Sequence, residues 1–296
     1  MTKLNEIYNS EKLAISFEIF PPKIGKPEDE DKIKILFEEL KVLSKFDPSF
    51  ISVTYGAGGS TRKKTLELVH KIKDELNIQA VPHFTCVNTT KEETLQYLES
   101  VQNMGIENIF ALRGDPPCGE KIFQKIENGF FYASELVEFI KVHTNLGIAV
   151  AGYPEGHQEC KCLDIDINNL KKKVNAGADL IITQLFYDNE LFFKFLEKTS
   201  EKGINIPIIP GILPIINFNQ IDKIISLCSA TLPEAFKKEL EKYKDDNEAI
   251  KNIGIEFAVK QCEELVKNNV SGIHFYTFNK SFAVKSILEK ILNSAF

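Results

Sequence analysis

Apolar and polar positions alternate along this 296-residue chain in two rhythms. Short runs rich in branched and aromatic residues occupy Ala14 to Phe20, Phe50 to Tyr55, Gln79 to Thr85, Asn108 to Arg113, Gly147 to Tyr153, Leu180 to Phe186, Ile206 to Gly211 and Gly272 to Phe278. Each has the length and composition of a buried strand. Most of the gaps hold charged segments with apolar residues at helical spacing. Asp29 to Lys45 carries Ile33, Leu36, Phe37, Leu40 and Leu43, and Thr61 to Leu76 carries Leu66, Leu68, Val69, Ile72 and Leu76. The same spacing predicts helices over Lys91 to Gln102, Tyr132 to Asn145, Asp166 to Ala176, Asn189 to Thr199, Gln220 to Leu227 and Lys280 to Leu292.

Strand followed by crossover helix is the signature of parallel βαβ units, and eight of them predict a closed (β/α)8 TIM barrel, a single domain over residues 1–296. The alternation breaks once, between Ser229 and Asn269. There Leu232 to Tyr243 and Asp246 to Lys267 predict two charged helices where one is expected, an insertion between strands seven and eight. Glycine and proline cluster directly after apolar runs, in Pro21 to Gly25, Gly56 to Gly59 and Gly114 to Gly119, and read as loops on the face where the strands end.

That face carries the candidate chemistry, because catalytic groups of such barrels sit at the carboxyl ends of the strands. Glu18, Thr54, His83, Arg113, Asp115, Tyr153 and Gln184 are predicted to converge there. Glu18 lies within Ile15-Ser16-Phe17-Glu18-Ile19-Phe20. Facing the barrel mouth it would be desolvated, which favours a protonated carboxyl able to act as a general acid; on the other face of the strand it would meet a helix or water. Arg113-Gly114-Asp115 joins a guanidinium and a carboxylate across a glycine, which suits a polar ligand or equally a self-satisfied pair at a turn. His83 can donate to a ligand, hold a metal or be structural.

The one dense set of metal-type donors, His157, Glu159, Cys160 and Cys162, lacks the paired spacing of a zinc ribbon, so no metal is predicted. Gly56 to Thr61 lacks the lysine of a phosphate-gripping loop and the spacing of a dinucleotide fingerprint. Asp166 to Lys173 reads as a capped, solvated helix start, whose lysines could also neutralise a diphosphate.

Composition narrows the partners. A net charge of −6 without a long basic run argues against nucleic acid or an anionic membrane. Met1 to Ser10 is polar, and no apolar stretch nears the roughly 18 residues of a membrane span, so a cytoplasmic protein is expected. Six scattered cysteines fit a reducing compartment. A small-molecule ligand is the expected partner.

Several strings occur together and in order: Phe17-Glu18-Ile19-Phe20-Pro21-Pro22, Ser52 to Ala57, Ala111-Leu112-Arg113-Gly114-Asp115, Gly152-Tyr153-Pro154-Glu155, Ile182-Thr183-Gln184-Leu185-Phe186, Pro210 to Pro214 and His274 to Lys280. Each is weak alone, but the ordered set, running from the first strand to the last, resembles the methylenetetrahydrofolate reductase family. The length is similar to that of its short bacterial form, which lacks the C-terminal regulatory domain of eukaryotic enzymes. The resemblance implies an FAD-containing homo-oligomer that reduces 5,10-methylenetetrahydrofolate with NAD(P)H by ping-pong hydride transfer. It implies Glu18 as general acid, Asp115 beside flavin and pterin, and Gln184 hydrogen-bonded to whichever substrate is present.

By the same resemblance Thr54, Tyr55, Ala57, His83, Arg113, Gly114, Asp115, Tyr132, Ala133, Tyr153, His157, Asp166, Asn169, Lys172 and Lys173 hold FAD. Thr54 and Gln220 join Glu18, Asp115 and Gln184 as substrate contacts. Two such positions depart from the family pattern: Ile224 replaces a stacking Phe, and Lys280 an Arg. NADH against NADPH is left open. A Schiff-base aldolase would need a lysine near a strand end, where strand six has Gln184; an inert ligand-binding barrel is the alternative outside enzymes.

Overall fold

Each predicted apolar run forms a strand. In a computed structural model describing residues 3–8, 12–22, 30–55, 62–116 and 122–294, the strands are β1 (Ala14–Ile19), β2 (Phe50–Val53), β3 (Ala80–Thr85), β4 (Asn108–Leu112), β5 (Gly147–Gly152), β6 (Leu180–Leu185), β7 (Ile208–Ile212) and β8 (Gly272–Tyr276). They pair in sequence order, all parallel, and β8 closes on β1 with Glu18 beside Tyr276. The ring is therefore the expected (β/α)8 barrel.

Closure explains why the runs are apolar on both faces. Outward residues such as Phe17, Ile51, Phe84, Ile109, Ile148 and Ile181 join the main core with the inner sides of the helices. Those helices are α2 (Glu30–Ser44), α3 (Arg62–Leu76), α4 (Lys91–Asn103), α5 (Ala133–His143), α6 (Leu163–Asn175) and α7 (Asn189–Glu201), numbered after a short α1 (Leu4–Ile7). Inward residues Ala14, Phe50, Val81, Phe110, Leu180 and Ile209 form a second cluster with Leu4 and Tyr8. Leu4 is fully buried, and its N–H donates to Asn108 Oδ1 at 3.0 Å. The N-terminal segment, read from sequence only for its polarity, thus stops the end of the barrel opposite the strand exits.

The insertion is present. A 3-10 turn over Phe218–Gln220 leads into α8 (Ile221–Cys228), α9 (Glu234–Lys242) and α10 (Asn247–Lys267) precede β8, and α11 (Phe282–Ser294) follows it. Phe236 of α9 and Phe257 of α10 stack with centroids 3.8 Å apart. These helices build a third cluster on Leu213, Ile215, Ile221 and Ile224, so the insertion buttresses the β7 exit. One boundary moves functionally. The helix expected from Asp166 begins at Leu163 with Cys162 as its N-cap, which puts Asp166 inside the first turn.

Candidate active site

Period-two alternation turns Ser16 and Glu18 to the same side of β1, and in a closed barrel that side is the lumen. Glu18 is 8% exposed, its Oε2 lying 3.5 Å from His83 Nε2 and 4.0 Å from His274 Nε2. His274 is fixed from below, since its Nδ1 shares a 2.8 Å hydrogen bond with Ser16 Oγ. His83 packs edge-on against Phe110 at 4.5 Å. Burial drives the His83 pKa down to about 4, against the pull of the Glu18 charge, so its imidazole is neutral near pH 7. Of the two orientations open to Glu18 in the sequence, the structure has the inward one. His274 was not singled out from sequence, yet first and last strands are neighbours in any closed barrel, so its alternation with Tyr276 was a readable signal.

A second group lies where β4 and β5 end. Arg113 does not pair with the adjacent Asp115. It reaches across to Glu159 in a bidentate bond, 2.5 Å at Nη1 and 2.6 Å at Nη2, and lies 5.1 Å from the centre of the Phe123 ring. The Glu159 carboxylate raises the Arg113 pKa, and the Arg113 hydrogen bonds lower that of Glu159. Gly114 makes the turn between them with φ of +83°, and a Cβ there would meet Val87 Cγ2 at 2.6 Å. Asp115 is left exposed.

Beneath this pair, Asp166 Oδ2 accepts the His157 N–H at 3.2 Å, and His157 packs edge-on against Tyr153 at 4.8 Å. Burial raises the Asp166 pKa, with Lys173 opposing, and lowers that of His157, with Arg113 adding to the effect. Lys173 donates to the Ala151 carbonyl, and burial pulls its pKa down to about 8. The solvated helix start expected here is therefore half true. Asn169 and Lys172 bond each other on the exposed side of α6, while Asp166 and Lys173 turn inward.

The remaining candidates border these groups. Burial, then the charges of Asp115 and Glu18, push the thiol of Cys228, at the end of α8, up to about 11. Ile224, one turn before it, is 9% exposed within the insertion cluster, and Gln220 is exposed at the start of that helix. Gln184 stands half-buried at the end of β6. Thr54 and Tyr55 follow β2; the Thr54 carbonyl accepts Thr65 Oγ1 at 3.2 Å, and Tyr55 meets the Phe84 ring at 5.8 Å.

Tyr132 and Ala133 open α5, Tyr132 being 56% exposed. Lys280 is at the solvent edge, 3.7 Å from Glu39 Oε1. Ala57 lies outside the described residues. Glu159 was singled out from sequence only as one of a set of metal-type donors; its partner Arg113 arrives through a contact between segments far apart in the chain.

The strand ends thus carry a buried carboxylate between imidazoles on one side and cations over aromatic rings on the other. The described helices include none long and apolar enough to cross a membrane. Residues 3–292 match the family described as Methylenetetrahydrofolate reductase. The chain is 39% identical over 297 residues to Methylenetetrahydrofolate reductase (NADH) 1 of Arabidopsis thaliana, covering 97% of this chain and 49% of that protein. It is 38% identical over 269 residues to the 5,10-methylenetetrahydrofolate reductase of Escherichia coli K12, covering 91% of this chain and 87% of that one. The chain thus spans about half the length of the plant relative it matches. Among solved structures, an uncharacterized protein from Clostridium thermocellum, described as binding two copies of 5-methyl-5,6,7,8-tetrahydrofolic acid, superposes with a TM-score of 0.64 at 15% identity over 100% of both chains, a likeness of fold.

Proposed function

The chain belongs to the methylenetetrahydrofolate reductase family, and from that premise we propose that it reduces 5,10-methylenetetrahydrofolate to 5-methyltetrahydrofolate, with bound FAD and NAD(P)H as electron donor. The observation that carries the reading is Glu18, buried at the strand ends between His83 and His274.

The residues present fit a flavin dinucleotide. Its diphosphate needs cations, which Arg113 after β4 and the two lysines of the last turn of the thirteen-residue α6, Lys172 and Lys173, would supply, Lys173 reaching back to the Ala151 carbonyl of β5. A half-buried lysine with its pKa lowered by desolvation gains from an anionic partner, because the anion restores the charge that burial disfavours. Tyr55, Tyr153 and His157 offer aromatic surface, Gly114 lets backbone approach closely, and Thr54, His83, Tyr132, Ala133, Asp166 and Asn169 complete the proposed cradle. When bound, the flavin supplies two-electron transfer between nicotinamide and folate.

The chain's own contribution is protonation and placement. Opening the imidazolidine ring breaks a C–N bond; Glu18 gives its proton to the departing nitrogen, and the iminium carbon left behind accepts hydride. His83, neutral near pH 7, places no positive charge beside Glu18, 3.5 Å away. Asp115, exposed above, places a negative charge where the pterin would lie. Gln184 hydrogen-bonds each substrate in turn on one shared face, which is a ping-pong arrangement. Gln220, Ile224 and Lys280 border that face.

The test is Glu18→Gln. The variant is expected to keep its yellow cofactor and its reduction by NAD(P)H in stopped flow, while reoxidation by methylenetetrahydrofolate slows by about 10²-fold or more, the usual weight of a general acid. Folate turnover near the wild-type rate overturns the assignment of Glu18. Purified protein that neither carries nor takes up FAD overturns the flavin reading.

A further inference from the structure

The end of β6 is irregular in a way that bears on Gln184. Ile181 pairs with Ile208 and Ile182 with Ile209, but the next pair is Leu185 with Gly211, so β6 carries one residue more than β7 between them. That is a β-bulge, and Thr183 and Gln184 occupy it. A bulge breaks the ladder and needs other partners for its polar groups. Here they are specific. The Thr183 carbonyl accepts the Tyr276 hydroxyl at 2.7 Å, and Thr183 Oγ1 accepts the Gly211 N–H at 3.0 Å.

Tyr276 belongs to β8, which is separated from β6 by β7, so its phenol must cross a strand. Gly211 is what lets it pass. A Cβ at that position would lie 2.7 Å from the Tyr276 ring, 2.9 Å from its hydroxyl and 2.3 Å from the Thr183 carbonyl. Within the bulge, Gln184 Oε1 accepts the N–H of Leu185 at 2.9 Å. The amide is thereby oriented, with its oxygen held by the backbone and its NH2 as the end able to donate.

We propose that Tyr276 is the positioning residue for Gln184: its hydroxyl, reaching across Gly211, holds the β6 bulge that aims the Gln184 NH2 at a carbonyl acceptor of the substrate. The inference rests on the reading that Gln184 contacts substrate. It identifies the recognised group as a hydrogen-bond acceptor, such as a pterin or carboxamide carbonyl.

A double-mutant cycle on the flavin-loaded enzyme tests it, with the Kd of 5-methyltetrahydrofolate read from the flavin absorbance and with flavin content and melting temperature measured alongside. Tyr276→Phe removes the hydroxyl and keeps the ring. It is expected to weaken binding about five- to tenfold, the weight of one positioned hydrogen bond, at unchanged flavin content. Combined with Gln184→Ala it should add nothing further. Thr183→Val, which removes the acceptor for Gly211 without touching Tyr276, should weaken binding in the same direction, and it decides the matter if the tyrosine variant does not fold.

An unchanged Kd in Tyr276→Phe or Thr183→Val, beside a clear loss in Gln184→Ala, overturns the positioning role alone. Losses that multiply in the double variant also overturn it, since Tyr276 would then act independently of Gln184. An unchanged Kd in Gln184→Ala overturns the reading of Gln184 as a substrate contact and the inference with it.

Discussion

Gly254 lies buried in α10, where helix propensity and packing make opposite predictions for alanine. Alanine is the better helix former by about 1 kcal/mol in a helix interior. A Cβ at this position, however, would sit 1.6 Å from the Ile215 carbonyl oxygen and 2.7 Å from its carbon. Cβ atoms essentially never approach closer than 3.0 Å, so helix and strand exit must separate by at least about 1.4 Å. The obstruction is backbone, which cannot swing aside as a side chain would. Overpacking of this kind costs about 1–3 kcal/mol and occasionally more, and an overlap this deep belongs at the upper end.

The net expectation is a loss of about 2 kcal/mol, or a melting temperature lower by roughly 3 °C at this chain length. Asn252→Ala, on the exposed side of the same helix, is the control and should gain a few tenths of a kcal/mol from propensity alone. Thermal unfolding of both variants by circular dichroism decides between the effects. A Gly254→Ala protein that melts at or above the wild-type temperature would refute the seating of α10 on the Ile215 carbonyl. It would also remove the argument that the insertion props the wall carrying Ile224 and Cys228.

Two pH dependences follow from the buried groups. His83 has its pKa lowered to about 4, so between the ordinary value of 6.5 and 4 the unfolded chain binds a proton that the folded chain does not. Stability contributed here is complete above pH 6.5 and falls as pH drops through that window, by about 3 kcal/mol in all; denaturant titrations of His83→Gln should show a shallower decline, and an unchanged slope would argue against a neutral buried imidazole. Lys173 has its pKa lowered to about 8, and a bound phosphate would raise it, so binding takes up a proton above that pH. FAD affinity should therefore be full below about 8 and weaken as pH rises beyond it, with Lys173→Met flattening the profile; wild-type affinity constant from pH 7 to 9.5 would exclude Lys173 as a phosphate partner.

Much of this was legible before any coordinates. The spacing of runs such as Leu180 to Phe186 and of helical patterns such as Leu66 to Leu76 contains the barrel, because a strand buried on both faces must be apolar on both and a crossover helix on one. The strand-end rule then names Glu18, Arg113 and Gln184 as candidates. Which face Glu18 takes is a matter of pleat phase, and only closure of β8 on β1 brings His274 beside it. Arg113 with Glu159, and Tyr276 with Thr183 across Gly211, have no pattern along the chain. Periodicity records how each segment divides between core and water. Partnerships between segments depend on where the barrel sets the ends of separate strands, a property of the whole ring that no single segment encodes.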